Sequence, residues 1–113
     1  MALGFDLWIP AYYSLGIMST VEILSRLKSY RQLHATEYGI SRLGVFGSVA
    51  RGTAQPDSDV DVVIEIGKTD LFTLAGIKAE LEDMLAAKVD LVPYGGRMNA
   101  FLKSRIDKDA VYV

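Results

Sequence analysis

The stretch from Gly47 to Ile64, GSVARGTAQPDSDVDVVI, decides how this chain folds. It follows a short apolar run, Ile40 to Phe46, which is typical of a buried strand that ends in glycine. Its last residues open a second apolar run, Val60 to Ile66, which also carries acidic side chains. We therefore predict a strand, a glycine turn with a short helix after Gly47, and a second strand.

Gly47 and Ser48 stand directly after the first predicted strand. Where a strand runs into a helical turn, unpaired backbone N–H groups, a serine hydroxyl and the helix dipole can converge on a phosphate. Glycine also permits a ligand to approach the backbone closely. A Gly-Ser pair on its own is equally typical of a plain turn, so its meaning depends on the acidic residues that follow.

Three aspartates are candidates for one acidic site. Asp59 and Asp61 are two residues apart, so on a strand their side chains share a face, with Cα atoms ~6.5 Å apart. Asp90 lies between Val89 and Leu91 and is expected to face the same side from another strand. Neighbouring carboxylates repel each other unless a cation neutralises them. We predict a site for two Mg²⁺ ions ~3.5–4 Å apart; the alternative is three solvated residues at strand ends.

Arg51 has two open interpretations. Its guanidinium could contact a phosphate as a forked donor, or it could form an ion pair with Asp57 or another surface acid. Basic residues on the last predicted helix are interpreted as a solvated face: they are Lys103, Arg105 and Lys108.

The rest of the chain alternates helical and strand patterns. The predicted elements are a helix from about Thr20 to His34, a helix after Asp70, a strand from Lys88 to Tyr94, a helix from Arg97 to Lys108 and a strand from Ala110 to Val113. The helix after Asp70 has an apolar stripe that we expect to face inward: Leu71, Leu74, Ile77, Leu81 and Met84. The order α-β-α-β-α-β-α-β predicts a layered α/β or α+β domain.

Composition narrows the classes of function. The chain has 113 residues, 50% of them hydrophobic and 23% charged, which is typical of one compact domain. A net charge of -2 gives no global basic field, so no direct contact with nucleic acid is expected. Cysteine is absent, which excludes disulfides, thiolate nucleophiles and cysteine-based metal sites. We expect a cytoplasmic protein that does not insert into a membrane.

Residues 1–17 differ from the rest of the chain. They carry a single charge, Asp6, and lack the basic region of a signal peptide. Their apolar stretch is too often interrupted to span a bilayer. The sequence pattern of a folded domain begins at Met18, because Ser19 to Glu22 has the form of a helix capping box. We therefore divide the chain into an extension, 1–17, and a domain, 18–113. The alternative is that 1–17 is an apolar arm packed on the domain or on a second subunit.

Gly-Ser, Ala-Arg-Gly and Ser-Asp-x-Asp followed by apolar residues together resemble the signature of the minimal nucleotidyltransferases of the polymerase-beta superfamily. The resemblance covers 18–113. It implies the nucleotidyltransferase fold, a small mixed β-sheet flanked by helices, and Mg²⁺-dependent transfer of a nucleoside monophosphate from ATP. Gly47 and Ser48 would hold the β- and γ-phosphates. Asp59 and Asp61 would bind the metal ions, and Asp90 would bind the catalytic ion and help deprotonate the acceptor.

The resemblance also implies an acceptor. Larger nucleotidyltransferases of this kind append a helical domain that holds an RNA end or an antibiotic, for which this chain has no room, so we expect the acceptor on a partner protein. Stand-alone domains of this kind resemble MntA-type antitoxins, which place AMP on a tyrosine hydroxyl of a HEPN ribonuclease toxin. We predict AMPylation from ATP. Two alternatives stay open: a binding module that inhibits by occlusion alone, and transfer to a small molecule within a homo-oligomer.

Overall fold

The computed structural model describes residues 18–55, 57–67 and 69–113. Their elements, in chain order, are α1 (Thr20–Tyr38), β1 (Ile40–Phe46), α2 (Gly47–Arg51), β2 (Val60–Ile66), α3 (Leu71–Leu85), β3 (Val89–Pro93), α4 (Ala100–Asp109) and β4 (Val111–Tyr112). The predicted order of helices and strands is confirmed. The predicted extension, 1–17, lies outside the described residues.

The four strands form one mixed sheet in the order β3-β2-β1-β4. β1 is antiparallel to both β2 and β4, whereas β2 and β3 are parallel. A parallel pair needs a crossover between its strands, and α3 provides it. The prediction of a small mixed sheet flanked by helices is confirmed.

The two faces of the sheet are covered unequally. On one face, α1 and α3 enclose the larger core, in which Leu27, Ile77 and Val62 have no exposed surface. Successive strand residues point to opposite faces, so Val63 lies on the other side of β2. There it forms a smaller cluster with Phe46 and with Ile106 of α4. The odd-numbered residues of β2, Asp61 among them, therefore lie on the face that α4 covers.

Two helix boundaries differ from the prediction. α1 continues past His34 to Tyr38, where Gly39 ends it with a left-handed φ of 66°. The Tyr38 hydroxyl donates to Glu80 of α3 at 3.3 Å, a tertiary contact that supports the extra turn. α4 begins at Ala100 rather than at Arg97, because the Asn99 side chain accepts the N–H groups that open the helix.

The prediction of an inward-facing apolar stripe on α3 is wrong for its first residue, Leu71. Leu71 is 83% exposed, whereas Ile77, Leu81 and the unpredicted Leu85 are buried. At 100° per residue, Leu71 lies about 90° from the centre of the buried face. None of the helices in the described part of the chain combines the length and apolar content needed to cross a membrane.

Candidate functional site

Gly47 brings the turn after β1 into contact with an acid of β2. Its φ is +70°, in the left-handed region that favours glycine. A Cβ atom at this position would collide with Oδ2 of Asp61. Phe46, the residue before Gly47, is the register partner of Asp61 in the antiparallel pair. The predicted phosphate turn and the predicted acidic strand therefore meet. The backbone conformation favours glycine there, and any larger residue would displace the Asp61 carboxylate.

The second acidic strand lies beside the first. Asp61 and Asp90 are register partners on the parallel strands β2 and β3, which places their Cα atoms about 4.8 Å apart on one face. Asp59 stands two residues before Asp61, just ahead of β2. Asp59 and Asp90 are exposed, and Asp61 is partly buried. The structure thus groups the predicted acids around Asp61, at the end of the sheet that Gly47 occupies.

The charge state of Asp61 reflects this grouping. Burial raises the pKa of the Asp61 carboxyl, and the negative charges of Asp90 and Asp59 raise this pKa further. The positive charges of Arg105 and Arg51 act in the opposite direction. Like charges around a half-buried carboxylate are costly to hold without a cation. A cation bound here would therefore relieve a repulsion that the fold itself creates.

Ser48 occupies the first turn of α2. The backbone of this turn is fixed because the Ser48 carbonyl oxygen accepts the Thr53 N–H at 2.9 Å. At the other end, Gly52 adopts a left-handed φ of 75° and closes the helix. α2 is also tied to α1, since the Thr20 hydroxyl donates to the Val49 carbonyl at 2.9 Å. Ser48 is thus presented next to Gly47 by a short helix that is capped at its C-terminal end and tied to α1.

Arg51 forms an ion pair with an acid of α4. Its Nη1 donates to Oδ2 of Asp109 at 3.0 Å. Of the two interpretations of Arg51, an ion pair with a surface acid is therefore observed, with Asp109 and not Asp57 as the partner. The Arg51 charge still acts on Asp61, so a phosphate contact by this residue stays a prediction.

Sequence reasoning missed two charged residues of α4. Arg105, interpreted as part of a solvated face, acts electrostatically on Asp61. Asp109 holds Arg51. The two α4 residues are four positions apart and therefore lie on one side of the helix. The spacing can be read from the sequence, but no sequence pattern links these two residues to the acidic site.

Mg²⁺ fits the acids only if the nucleotide shares in binding it. Among the residues described, no group of three or more His, Cys, Asp or Glu side chains is arranged to hold a metal ion by itself. Mg²⁺ is usually bound by one or two carboxylates and completes its shell with water and substrate phosphates. Asp61 with its acidic neighbours supplies oxygen ligands of this kind, and the bare backbone of Gly47 lies beside them. The donor set suits such a shared site.

Comparisons with known proteins identify the family of the chain. The family model described as "Nucleotidyltransferase domain" matches residues 22–113. A relative in Thermococcus cleftensis named protein adenylyltransferase MntA is 34% identical over 104 residues, which cover 88% of this chain and 100% of the relative. A solved structure described provisionally as a minimal nucleotidyltransferase is 32% identical, with a TM-score of 0.70, and the match covers 83% of this chain and 95% of that one.

More distant solved structures share the fold. A chain in a toxin–antitoxin crystal structure with AMP-PNP matches with a TM-score of 0.65 and 22% identity, over 79% of this chain and 72% of that one. A chain in the complex of tri-AMPylated Shewanella oneidensis HEPN toxin with MNT antitoxin matches with a TM-score of 0.60 and 16% identity, over 80% and 70%. Because the family model matches residues 22–113 and the Thermococcus relative is 34% identical, the chain belongs to the nucleotidyltransferase domain family. It is thus an enzyme of that class, and its resemblance to the minimal nucleotidyltransferases is confirmed.

Proposed function

We propose that this protein moves AMP from ATP to a tyrosine hydroxyl of a HEPN-type ribonuclease toxin, in a Mg²⁺-dependent reaction, and so acts as its antitoxin. The observation that carries the proposal is the contact of Gly47 with Asp61, beside Asp90 on the next strand. The name of the Thermococcus relative and the AMPylated toxin in the Shewanella complex support the choice of AMP and of a protein acceptor.

In this proposal, Gly47 and Ser48 hold the β- and γ-phosphates of ATP. Gly47 leaves its backbone open to a phosphate because it has no side chain, and Ser48 supplies a hydroxyl donor. Arg51 adds guanidinium donors from the last residue of the same helix. These groups fix the leaving half of the triphosphate before any bond changes, which is a large part of catalysis in phosphoryl transfer.

The acids act where the bonds change, at the α-phosphate of ATP and the attacking hydroxyl. Asp59, Asp61 and Asp90 would bind Mg²⁺, which when bound supplies charge for the triphosphate and a lower pKa for the attacking hydroxyl. The tyrosine oxygen forms a bond to the α-phosphorus, and the bond from that phosphorus to the oxygen bridging to the β-phosphate breaks. Pyrophosphate leaves. Asp90, on the exposed edge strand β3, accepts the hydroxyl proton and passes it to water.

The test is transfer of label from α-labelled ATP to a purified HEPN-type partner in Mg²⁺. We expect wild type to label the partner and Asp59→Asn and Asp61→Asn to lower the rate by at least about a hundredfold. Asp83→Asn is a matched control, because it removes the same charge from an exposed residue of α3. This control is expected to label at the wild-type rate.

Two outcomes would contradict the proposal. If the protein silences its partner without any label reaching it, occlusion is the mechanism. If label appears only on small molecules, the acceptor class is wrong. Mapping the labelled residue and replacing it with phenylalanine in the partner tests the choice of tyrosine.

A further inference from the structure

The ion pair between Arg51 and Asp109 joins two helices, and the paired residues are 58 positions apart in sequence. Arg51 ends α2, the helix that opens with Gly47 and Ser48. The Arg51 side chain is 46% exposed, whereas that of Asp109 is 19% exposed. The acid is therefore the more enclosed member of the pair, and the arginine is the one that retains access to a ligand.

Asp109 is held by a firmly attached helix. One turn earlier on α4, Ile106 has no exposed surface and packs against Phe46 and Val63. A second contact fixes the outer side of α4, where the Tyr94 hydroxyl donates to Asp107 at 2.7 Å. The Asp109 carboxylate thus has a defined position relative to the sheet, which the long side chain of Arg51 lacks on its own.

Asp109 accepts a hydrogen bond from only one of the two terminal nitrogens of the Arg51 guanidinium. Among the described residues, the hydrogen bond that Arg51 makes runs from Nη1 to Asp109, and a guanidinium has five N–H donors. Exposed ion pairs stabilise a fold little. They do restrict a flexible side chain, and a restricted arginine loses less entropy when it binds a second anion.

We propose that Asp109 is a positioning residue for the nucleotide, because it fixes one edge of Arg51 so that the remaining donors face a triphosphate bound at Gly47 and Ser48. This inference rests on the proposed function of the site. It assigns α4 a part in substrate binding that the acidic motif does not include.

The experiment is steady-state AMP transfer with varied ATP at saturating partner. We expect Asp109→Asn to raise KM for ATP about fivefold, with kcat changed less than about twofold. Asp83→Asn is the matched control, because it makes the same substitution at an exposed residue of α3, away from the pair between Arg51 and Asp109. Its KM is expected to stay at the wild-type value.

A double-variant cycle separates positioning from a merely structural role. If Asp109 acts through Arg51, then Arg51→Gln raises KM at least as much, and adding Asp109→Asn to it has no further effect. Asp109→Glu keeps the carboxylate on a longer stem and is expected to restore most of the affinity. It also keeps the inference testable if Asp109→Asn lowers the amount of folded protein.

An unchanged KM in Asp109→Asn would overturn the inference, as would an equal rise of KM in the Arg51→Gln background. A lowered KM would also overturn it, because Asp109 would then compete with phosphate for Arg51. The failure of the proposed function looks different, since in that case wild type itself would transfer no label to the partner.

Discussion

Gly47 is the residue at which local backbone geometry and site geometry cannot be separated. Its left-handed φ makes a side chain strained, and a side chain would also displace the Asp61 carboxylate. We expect Gly47→Ala to destabilise the fold by about 2 kcal/mol, from backbone strain and displacement of the carboxylate. We also expect AMP transfer to fall at least about a hundredfold, because the turn and the acid move apart. Thermal unfolding and the transfer assay measure the two effects.

Gly52 supplies the matched control for this prediction. It also has a left-handed φ, 75°, but a Cβ there would meet no atom within 4 Å. Gly52→Ala should therefore show the strain cost of about 1 kcal/mol and keep most of the activity. Equal losses of activity in both variants would mean that the contact with Asp61 has no special role.

Asp61 links the pH dependence of stability to function. Its pKa is raised above the ordinary 3.8 by burial and by Asp90 and Asp59. The folded protein thus holds this proton more tightly than the unfolded chain. The Asp61 contribution to the free energy of unfolding therefore falls as the pH rises from the ordinary pKa through the raised pKa of the folded protein. Without Mg²⁺ or ATP, Asp61→Asn should be more stable than wild type at pH 7, by less than about 1 kcal/mol because the site is partly solvated.

Urea unfolding of wild type and Asp61→Asn between pH 4 and pH 8 measures the effect. The advantage of the variant is expected to grow with pH and then level off. Asp83→Asn, on α3, removes the same charge away from the site and is the control for a general effect of net charge. A variant less stable than wild type at neutral pH would show that Asp61 is stabilised by Arg105 and Arg51 more than it is repelled by its acidic neighbours.

At the scale of elements, β4 depends on a missing side chain in β1. Gly44 pairs with Tyr112, and a Cβ on Gly44 would collide with the Val111 carbonyl and lie 2.9 Å from the Tyr112 Cα. The Tyr112 ring in turn lies 4.6 Å from the Arg42 guanidinium. We expect Gly44→Ala to displace β4 and to lower the free energy of unfolding by about 1–3 kcal/mol.

Gly76 of α3 offers a control of opposite sign. It is exposed within a helix, and a Cβ there meets nothing within 4 Å. Gly76→Ala should stabilise the protein by about 0.5–1 kcal/mol, since alanine loses less entropy in a helix. If chemical denaturation gave Gly44→Ala the stability of wild type, β4 would not be sterically locked onto β1.

The ends of the two central strands could be predicted from the sequence. β1 and β2 span the predicted residues because glycine or acidic residues interrupt the pattern on either side. Helix ends were less predictable, since a helix end depends on a cap and on contacts from elsewhere. Tyr38 continues α1 by reaching Glu80, and Asn99 delays α4 by capping it. Neither contact follows from helical periodicity.

The same distinction applies to the site. Gly47, Ser48, Asp59 and Asp61 stand in one short stretch, so their proximity follows from strand and turn geometry alone. Asp90 could be added because it alternates with apolar residues on a strand. The pair between Arg51 and Asp109 could not be predicted, because it joins α2 to α4 and depends on how α4 packs on Phe46.

At the scale of the molecule, the larger hydrophobic core lies on one face of the sheet and the candidate site lies on the other. The face under α1 and α3 contains most of the fully buried side chains, Leu27, Val62 and Ile77 among them. The other face carries α4 and the acids around Asp61. The site and the larger core thus lie on opposite faces, and local stability can differ between them.

The described residues include a large buried core, and the family model matches 22–113. We propose that 18–113 is the catalytic domain, and we expect a chain that begins at Met18 to unfold within a few degrees of the full chain and to transfer AMP at the same rate. Thermal unfolding and the transfer assay check this. Insolubility or loss of activity would mean that 1–17 is an arm that the domain requires.

The boundary itself can be tested by shortening the chain three residues further. A chain that begins at Val21 lacks the Ser19 cap, whose hydroxyl accepts the Glu22 N–H at 3.1 Å, and the Thr20 hydroxyl that donates to Val49. Loss of a cap and of a hydrogen bond should cost about 1–2 kcal/mol. Because the second bond holds α2, transfer should fall as well. Equal stability and activity for the two truncated chains would show that α1 does not fix the phosphate turn.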